Sequence, residues 1–177
     1  FSGGLVGIAG YDLVRYFERL DRPPAGAAVP RAPEAAYLAT ESLLIFDHLT
    51  RRIALLHAGS PDERARLRAE IVRLLRGPLP SVRTPDGYAP PTQSLSREDF
   101  EQAVAKSKGY IASGDIYQIV LSVRFAGTHG LSPFETYRAM RLLNPSPYMF
   151  FFDLGDLKVV GSSPEALVKC HGGAASL

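Results

Sequence analysis

Gln118, Ser122 and Arg124 share one side of the run 115–125 (DIYQIVLSVRF) if that run is extended, because successive side chains of a strand point to opposite faces. Ile116 and Val120 join them there, while Tyr117, Ile119, Leu121, Val123 and Phe125 form the other face. An amide donates and accepts hydrogen bonds but does not titrate in the useful range, so Gln118 cannot serve as a general base. The pattern fits a cleft wall or the solvent side of an edge sheet, and the spacing does not choose between them. The turn Asn144-Pro145-Ser146-Pro147-Tyr148-Met149 is the second candidate. Two prolines fix its backbone, which serves either packing or a ligand clamp.

Other chemistry is poorly supplied. Gly4, Gly7 and Gly10 have the wrong spacing for a dinucleotide fingerprint, and no Gly-Lys-Ser/Thr follows for a phosphate loop, so close backbone packing is the better reading. Cys170 is the one cysteine and excludes an internal disulfide; its neighbour His171 would point to the opposite strand face. His48, His57, His129 and His171 are scattered without ligand spacing, and the sequence offers no metal site. Twenty Lys and Arg against eighteen Asp and Glu leave +2, without a basic block to follow nucleic acid. No apolar run approaches the roughly 18 residues of a membrane helix. The opening Phe1-Ser2-Gly3-Gly4 lacks a basic leader, so the chain reads as an internal piece of a longer cytoplasmic protein.

The elements that must hold these residues are punctuated clearly. The 177 residues, 46% hydrophobic and 21% charged, suit one domain or a lean two with enough apolar surface for a core. Residues 3–10 read as a strand or loop, followed by an amphipathic helix carrying Leu13, Phe17 and Leu20. Residues 43–46 and 53–56 flank a polar segment, 47–52, and suggest a hairpin. Ser60-Pro61-Asp62-Glu63 predicts a capping box, and Gly77 with Pro78 ends a helix whose stripe is Leu67, Ile71, Leu74 and Leu75. Ser96 opens a helix stopping at Gly114, and Ser132-Pro133 opens another, with Phe134, Tyr137 and Met140 inward, ending before Asn144-Pro145. Residues 148–154 and 157–160 form a hairpin about Gly155-Asp156; 161–164 break the ladder and 166–169 resume it. Proline-rich linkers at 21–36 and 77–95 divide an N-terminal portion, 1–95, from a second, 96–177. The fold class is α+β, antiparallel sheets with helices packed outside.

Three blocks carry a resemblance: GDIYQIVLSVRF (114–125), NPSPYMFFF (144–152) and VGSSPEALV (160–168). With GGLVGIAGYDLVRYFERL (3–20) upstream, they resemble the large, chorismate-binding subunits of anthranilate synthase, over most of the chain and least across the linkers. The three later blocks are specific to chorismate-utilising enzymes, and NPSPYMF favours the anthranilate member. The resemblance implies a two-sheet fold and conversion of chorismate and ammonia to anthranilate and pyruvate, in tryptophan biosynthesis. It implies Mg²⁺ near the substrate carboxylate, with ligands beyond this chain, and a glutaminase subunit or fused domain supplying ammonia. It also implies feedback inhibition by tryptophan, with Pro147, Tyr148 and Met149 as one wall of the effector site and Asn144 and Ser146 holding the turn.

In isochorismate- and salicylate-forming relatives a lysine takes the Gln118 position and activates water, so by resemblance Gln118 lines the cleft. Val123 replaces the family's usual glutamine, on the apolar face, with modest consequence expected. The sequence lacks the family's early Leu-Leu-Glu-Ser segment and stops before its glycine-threonine loop, Mg²⁺-binding glutamates and chorismate-gripping arginine. The 177 residues alone are therefore expected to be inactive. The alternatives are aminodeoxychorismate synthase of folate biosynthesis, and a non-catalytic amino-acid-binding or assembly module.

Overall fold

The computed structural model describes residues 3–20, 33–79, 81 and 87–176. Most of the first proline-rich linker, and residues 80 and 82–86 of the second, lie outside the described residues. Two compact units follow from the contacts: residues 1–81 with 137–177, and residues 82–136.

In the first unit β1 (Leu5–Ala9) pairs antiparallel with β2 (Ala35–Ala39), Gly7 opposite Tyr37. A six-residue 3₁₀ helix, Tyr11–Tyr16, follows β1 in place of the expected amphipathic α-helix. The Tyr16 hydroxyl donates to the Glu34 carboxylate, which raises the Tyr16 pKa by hydrogen bonding and charge. β3 (Ser42–Asp47) and β4 (Arg52–His57) make the expected hairpin. Asp47 closes its turn by accepting from the Leu49 and Thr50 amides at 2.9 and 3.0 Å and from the Thr50 hydroxyl at 2.6 Å.

Helix α1, Pro61–Arg76, begins on the predicted capping box. The Ser60 amide and hydroxyl reach Glu63 Oε2 at 2.7 and 2.8 Å, and the Glu63 amide returns to Ser60 Oγ at 3.3 Å. Leu67, Ile71 and Val72 are half-buried, whereas Leu74 and Leu75, expected inside, are 61% and 54% exposed because α1 touches the hairpin chiefly through β4. The Ser60 donors and the neighbouring His57 hold the Glu63 carboxyl below its usual range. A depressed carboxyl stabilises above the ordinary glutamate pKa of about 4.3, and that contribution disappears as pH falls through the folded value. Ser60→Ala should therefore cost about 1 kcal/mol and flatten the loss of α1 helicity between pH 6 and pH 3, followed by circular dichroism.

In the second unit α2, Arg97–Ser113, is capped by Ser96, which accepts from the Asp99 amide at 3.0 Å, and ends at left-handed Gly114 (φ 83°). β5 (Thr92–Gln93) pairs with β6 (Phe125–Ala126). Residues 115–124, expected as a strand, carry no ladder. At the start the Asp115 and Ile116 amides donate back to the Tyr110 carbonyl of α2, and at the end the Ser94 amide donates to the Arg124 carbonyl and the Arg124 amide to Ser94 Oγ. A strand forms only where a neighbour supplies the other half of its hydrogen bonds.

α3, Pro133–Leu143, leads into the first unit's last two hairpins. Phe134, expected inward, is 52% exposed. β7 (Tyr148–Leu154) pairs with β8 (Leu157–Ser163) across Gly155-Asp156, Gly155 taking φ 83°. β8 thus runs through Gly161, Ser162 and Ser163 instead of breaking there, because Phe150 lies over Gly161 and leaves no room for a Cβ. The final pair is β9 (Lys169–His171) with β10 (Ala174–Ser176), later than the expected 166–169.

The architecture is thus α+β with antiparallel pairs throughout, as the sequence leads one to expect. The expected core is another matter. Among the described residues Ser107 alone is buried, its hydroxyl returned to the Ala103 carbonyl at 2.7 Å, and no hydrophobic side chain is. No described helix is long and apolar enough to cross a membrane.

Candidate functional site

The turn between α3 and β7 is held from across the hairpin. The Ser162 hydroxyl donates to the Asn144 carbonyl at 2.8 Å. Having one proton, it accepts in turn from the Ser146 hydroxyl at 2.9 Å. Ser162 stands opposite Met149 in the β7–β8 register. Pro145 and Pro147 fix φ at alternate positions, and the Asn144 amide closes α3 by donating to the Met140 carbonyl at 2.8 Å. The 144–149 backbone is thereby fastened at both ends.

Beyond the turn the side chains divide by strand alternation. Phe150 and Phe152 stack on one face with ring centroids 5.1 Å apart. Phe151 turns to the other face and meets Tyr137 of α3 at 6.1 Å. Met149 shares the Phe151 side and is half-buried. Tyr148 is 39% exposed, with the Lys169 ammonium 5.3 Å from its ring centroid, within cation–π range. At the far end Lys158 Nζ bonds Asp153 at 2.6 Å and holds that carboxyl below its ordinary value.

The structure therefore gathers Asn144, Ser146, Pro147, Tyr148 and Met149 around one clamped turn. Gln118 belongs to the other unit, where it is exposed on the unpaired 115–124 segment. Exposure there alternates over Leu121 to Arg124, with Leu121 and Val123 half-buried and Ser122 and Arg124 exposed. Sequence reasoning missed two residues of this site. Ser162 sat in a run read as a strand break, and its spacing from the turn is visible only once the hairpin register is known. Lys169 reaches Tyr148 from a strand whose start the sequence misplaced.

The model describing chorismate binding enzymes matches residues 2–177, and the chain belongs to that family. Anthranilate synthase component 1 of Thermus thermophilus is 42% identical over 97% of this chain, and that of Pseudomonas aeruginosa 40% identical over 98%. The crystal structure of anthranilate synthase component I from Streptococcus pneumoniae superimposes with a TM-score of 0.76 at 30% identity, over 99% of this chain. The chain spans 37% and 38% of those two curated relatives and 41% of the solved one.

Proposed function

We propose that the whole protein to which these residues belong is the chorismate-aminating component of a cytoplasmic anthranilate synthase, and that the 144–149 turn is one wall of its tryptophan effector site. The observation that carries this reading is the Ser162 clamp on Asn144 and Ser146, in a chain similar from end to end to anthranilate synthase component 1. A turn ordered before its ligand arrives lowers the ordering cost of binding. Met149 offers a polarisable thioether to an indole ring, a contact worth about 0.3–1.5 kcal/mol, while the Tyr148 ring stands on the opposite face of β7.

Gln118 is assigned to the substrate cleft of the whole protein. An amide there orients ligands without generating hydroxide, which suits a nucleophile arriving as ammonia. The numbered component in the relatives' names supports a partner, and we assign that partner the glutaminase role. No group of three His, Cys, Asp or Glu side chains among the described residues is placed to enclose a metal ion. No step assigned to this chain is therefore routed through magnesium.

The test uses the whole protein in an anthranilate-forming assay with chorismate and ammonia. Ser162→Ala removes both clamp bonds, each worth about 1 kcal/mol, so the tryptophan concentration for half-inhibition should rise about tenfold or more. Met149→Thr and Pro147→Ser should act alike, all three leaving uninhibited turnover nearly intact. Gln118→Ala should instead lower turnover and leave tryptophan sensitivity unchanged. Wild-type sensitivity in all three turn variants would remove the turn from the effector site, and formation of aminodeoxychorismate in place of anthranilate would overturn the activity.

A further inference from the structure

One face of the β3–β4 hairpin and one side of α1 enclose an apolar groove of about 510 Å³, floored by Leu44, Ile53, Leu55, Ile71 and Leu75. Strand alternation explains the floor: the register sets Leu44 opposite Leu55 and Phe46 opposite Ile53, so these side chains share a face. The helix lines the groove with a stripe at 64, 68, 71, 72 and 75, about 16 Å long at 1.5 Å per residue. Its chemistry changes along that length, with two arginines in the first turns and aliphatic side chains after them.

Arg64 and Arg68 differ from the helix's other interior arginines. Arg66 has Asp62, Glu63 and Glu70 within three or four positions, and Arg73 has Glu70. Around Arg64 the positions three and four away hold Ser60, Pro61, Leu67 and Arg68; around Arg68 they hold Arg64, Ala65, Ile71 and Val72. Both therefore lack an intrahelical counter-charge and repel each other at i, i+4. Neither has an ion-pair partner among the described residues. Of the four arginines inside the helix, the two without acids are the two that line the groove.

A second observation falls at the same end. Arg64 also lines an adjoining recess of about 340 Å³, with Thr40, Glu41 and His57. Thr40 Oγ1 and His57 Nε2 are shielded from solvent there and have no hydrogen-bond partner among the described residues. His57 Nδ1 lies 2.8 Å from the Ser42 hydroxyl, and with that hydroxyl donating, Nε2 carries the proton. Glu63 Oε2, at 4.0 Å from Nε2, is beyond hydrogen-bond reach. In that tautomer a hydroxyl, an imidazole N–H and the Arg64 guanidinium border one recess beside the Glu41 carboxylate, and the three can donate to an anion. Buried donors without acceptors call for a ligand or water.

We propose that this groove and recess bind an amphiphilic carboxylate, its apolar body lying between α1 and the hairpin and its head group held by Arg64 and Arg68 at the Thr40–His57 end. A mostly apolar pocket of this size with a few convergent polar groups is the usual form of a small-molecule site. The site shares no residue with the clamped turn.

Decanoate is the probe, with decanol and decylamine as controls of equal chain length. Each competes with dansyl-undecanoate fluorescence on the whole protein to which these residues belong. Decanoate should compete at least about tenfold better than either control, the value of a charge-assisted hydrogen bond. Arg64→Glu/Arg68→Glu should weaken decanoate about tenfold or more, whereas Arg66→Glu, outside the groove, should leave it unchanged. Equal competition by decanol would make the groove a plain apolar seat for another protein segment and overturn the proposal. So would an equal loss in Arg66→Glu, or no binding of the fluorescent probe. Helicity by circular dichroism confirms that the charge-reversed helix has formed.

Discussion

At micromolar concentration the 177-residue chain should self-associate and lose structure over a broad temperature range instead of at a sharp midpoint. Leu142 and Leu143 are each 86% exposed, Leu167 is 87% and Val120 is 81%. Covering one such side chain is worth about 1.5–3 kcal/mol, so a few of them brought together between molecules outweigh the cost of a weak encounter. The strands add a directional component. Every sheet among the described residues is a pair, leaving each strand an outer edge of unpaired amides and carbonyls. β7 is the most exposed to this hazard, since Phe150, Phe151 and Phe152 make both its faces apolar. Sedimentation velocity with a parallel thermal melt is the check. A monodisperse monomer melting cooperatively would show that the elements find enough cover in one another.

The second large effect is expected at Gly7. A Cβ there would stand 2.7 Å from the Cα of Tyr37 and closer still to the Ala36 carbonyl oxygen, both backbone atoms of the paired strand. Backbone in a ladder cannot step aside without breaking the hydrogen bonds that define it. Gly7→Ala should cost the β1–β2 pair about 3 kcal/mol, the upper end for overpacking, and lower amide-exchange protection over Leu5–Ala9 and Ala35–Ala39 about a hundredfold. Gly161→Ala is the informative contrast. Its Cβ would meet the far edge of the Phe150 ring, which can swing aside at the cost of an off-rotamer angle, about 1 kcal/mol. If the two substitutions cost the same, the distinction between backbone and side-chain neighbours is wrong here.

Legibility in the sequence followed the range of the interaction concerned. The capping box of α1, the Gly114 stop of α2 and the Gly155-Asp156 hairpin are each specified within a few residues, and each stands where the spacing put it. The 115–124 run has the composition of a strand and its alternation of faces, yet a ladder depends on a neighbour that composition does not name. Gly161 misled for a related reason. Glycine ordinarily marks a break, but here it makes room for an aromatic ring on the facing strand. The candidate turn was legible as a rigid segment. Its fastening was not, because Ser162 is sixteen and eighteen positions from the groups it binds.

That separation also sets an order of events during folding. The Ser162 hydroxyl cannot find Asn144 and Ser146 until β8 has folded back along β7, a local hairpin that closes in about 1–10 μs. Zippering from Gly155-Asp156 outward brings Leu154 to Leu157 first and Tyr148 to Ser163 last, so the 144–149 segment is fastened at the end of the process. On unfolding, the same bonds sit at the open mouth of the hairpin and are the first to fray. The end of this hairpin that carries the 144–149 turn is thus its least kinetically protected part, and a molecule bound at the turn would slow the opening of the whole strand pair.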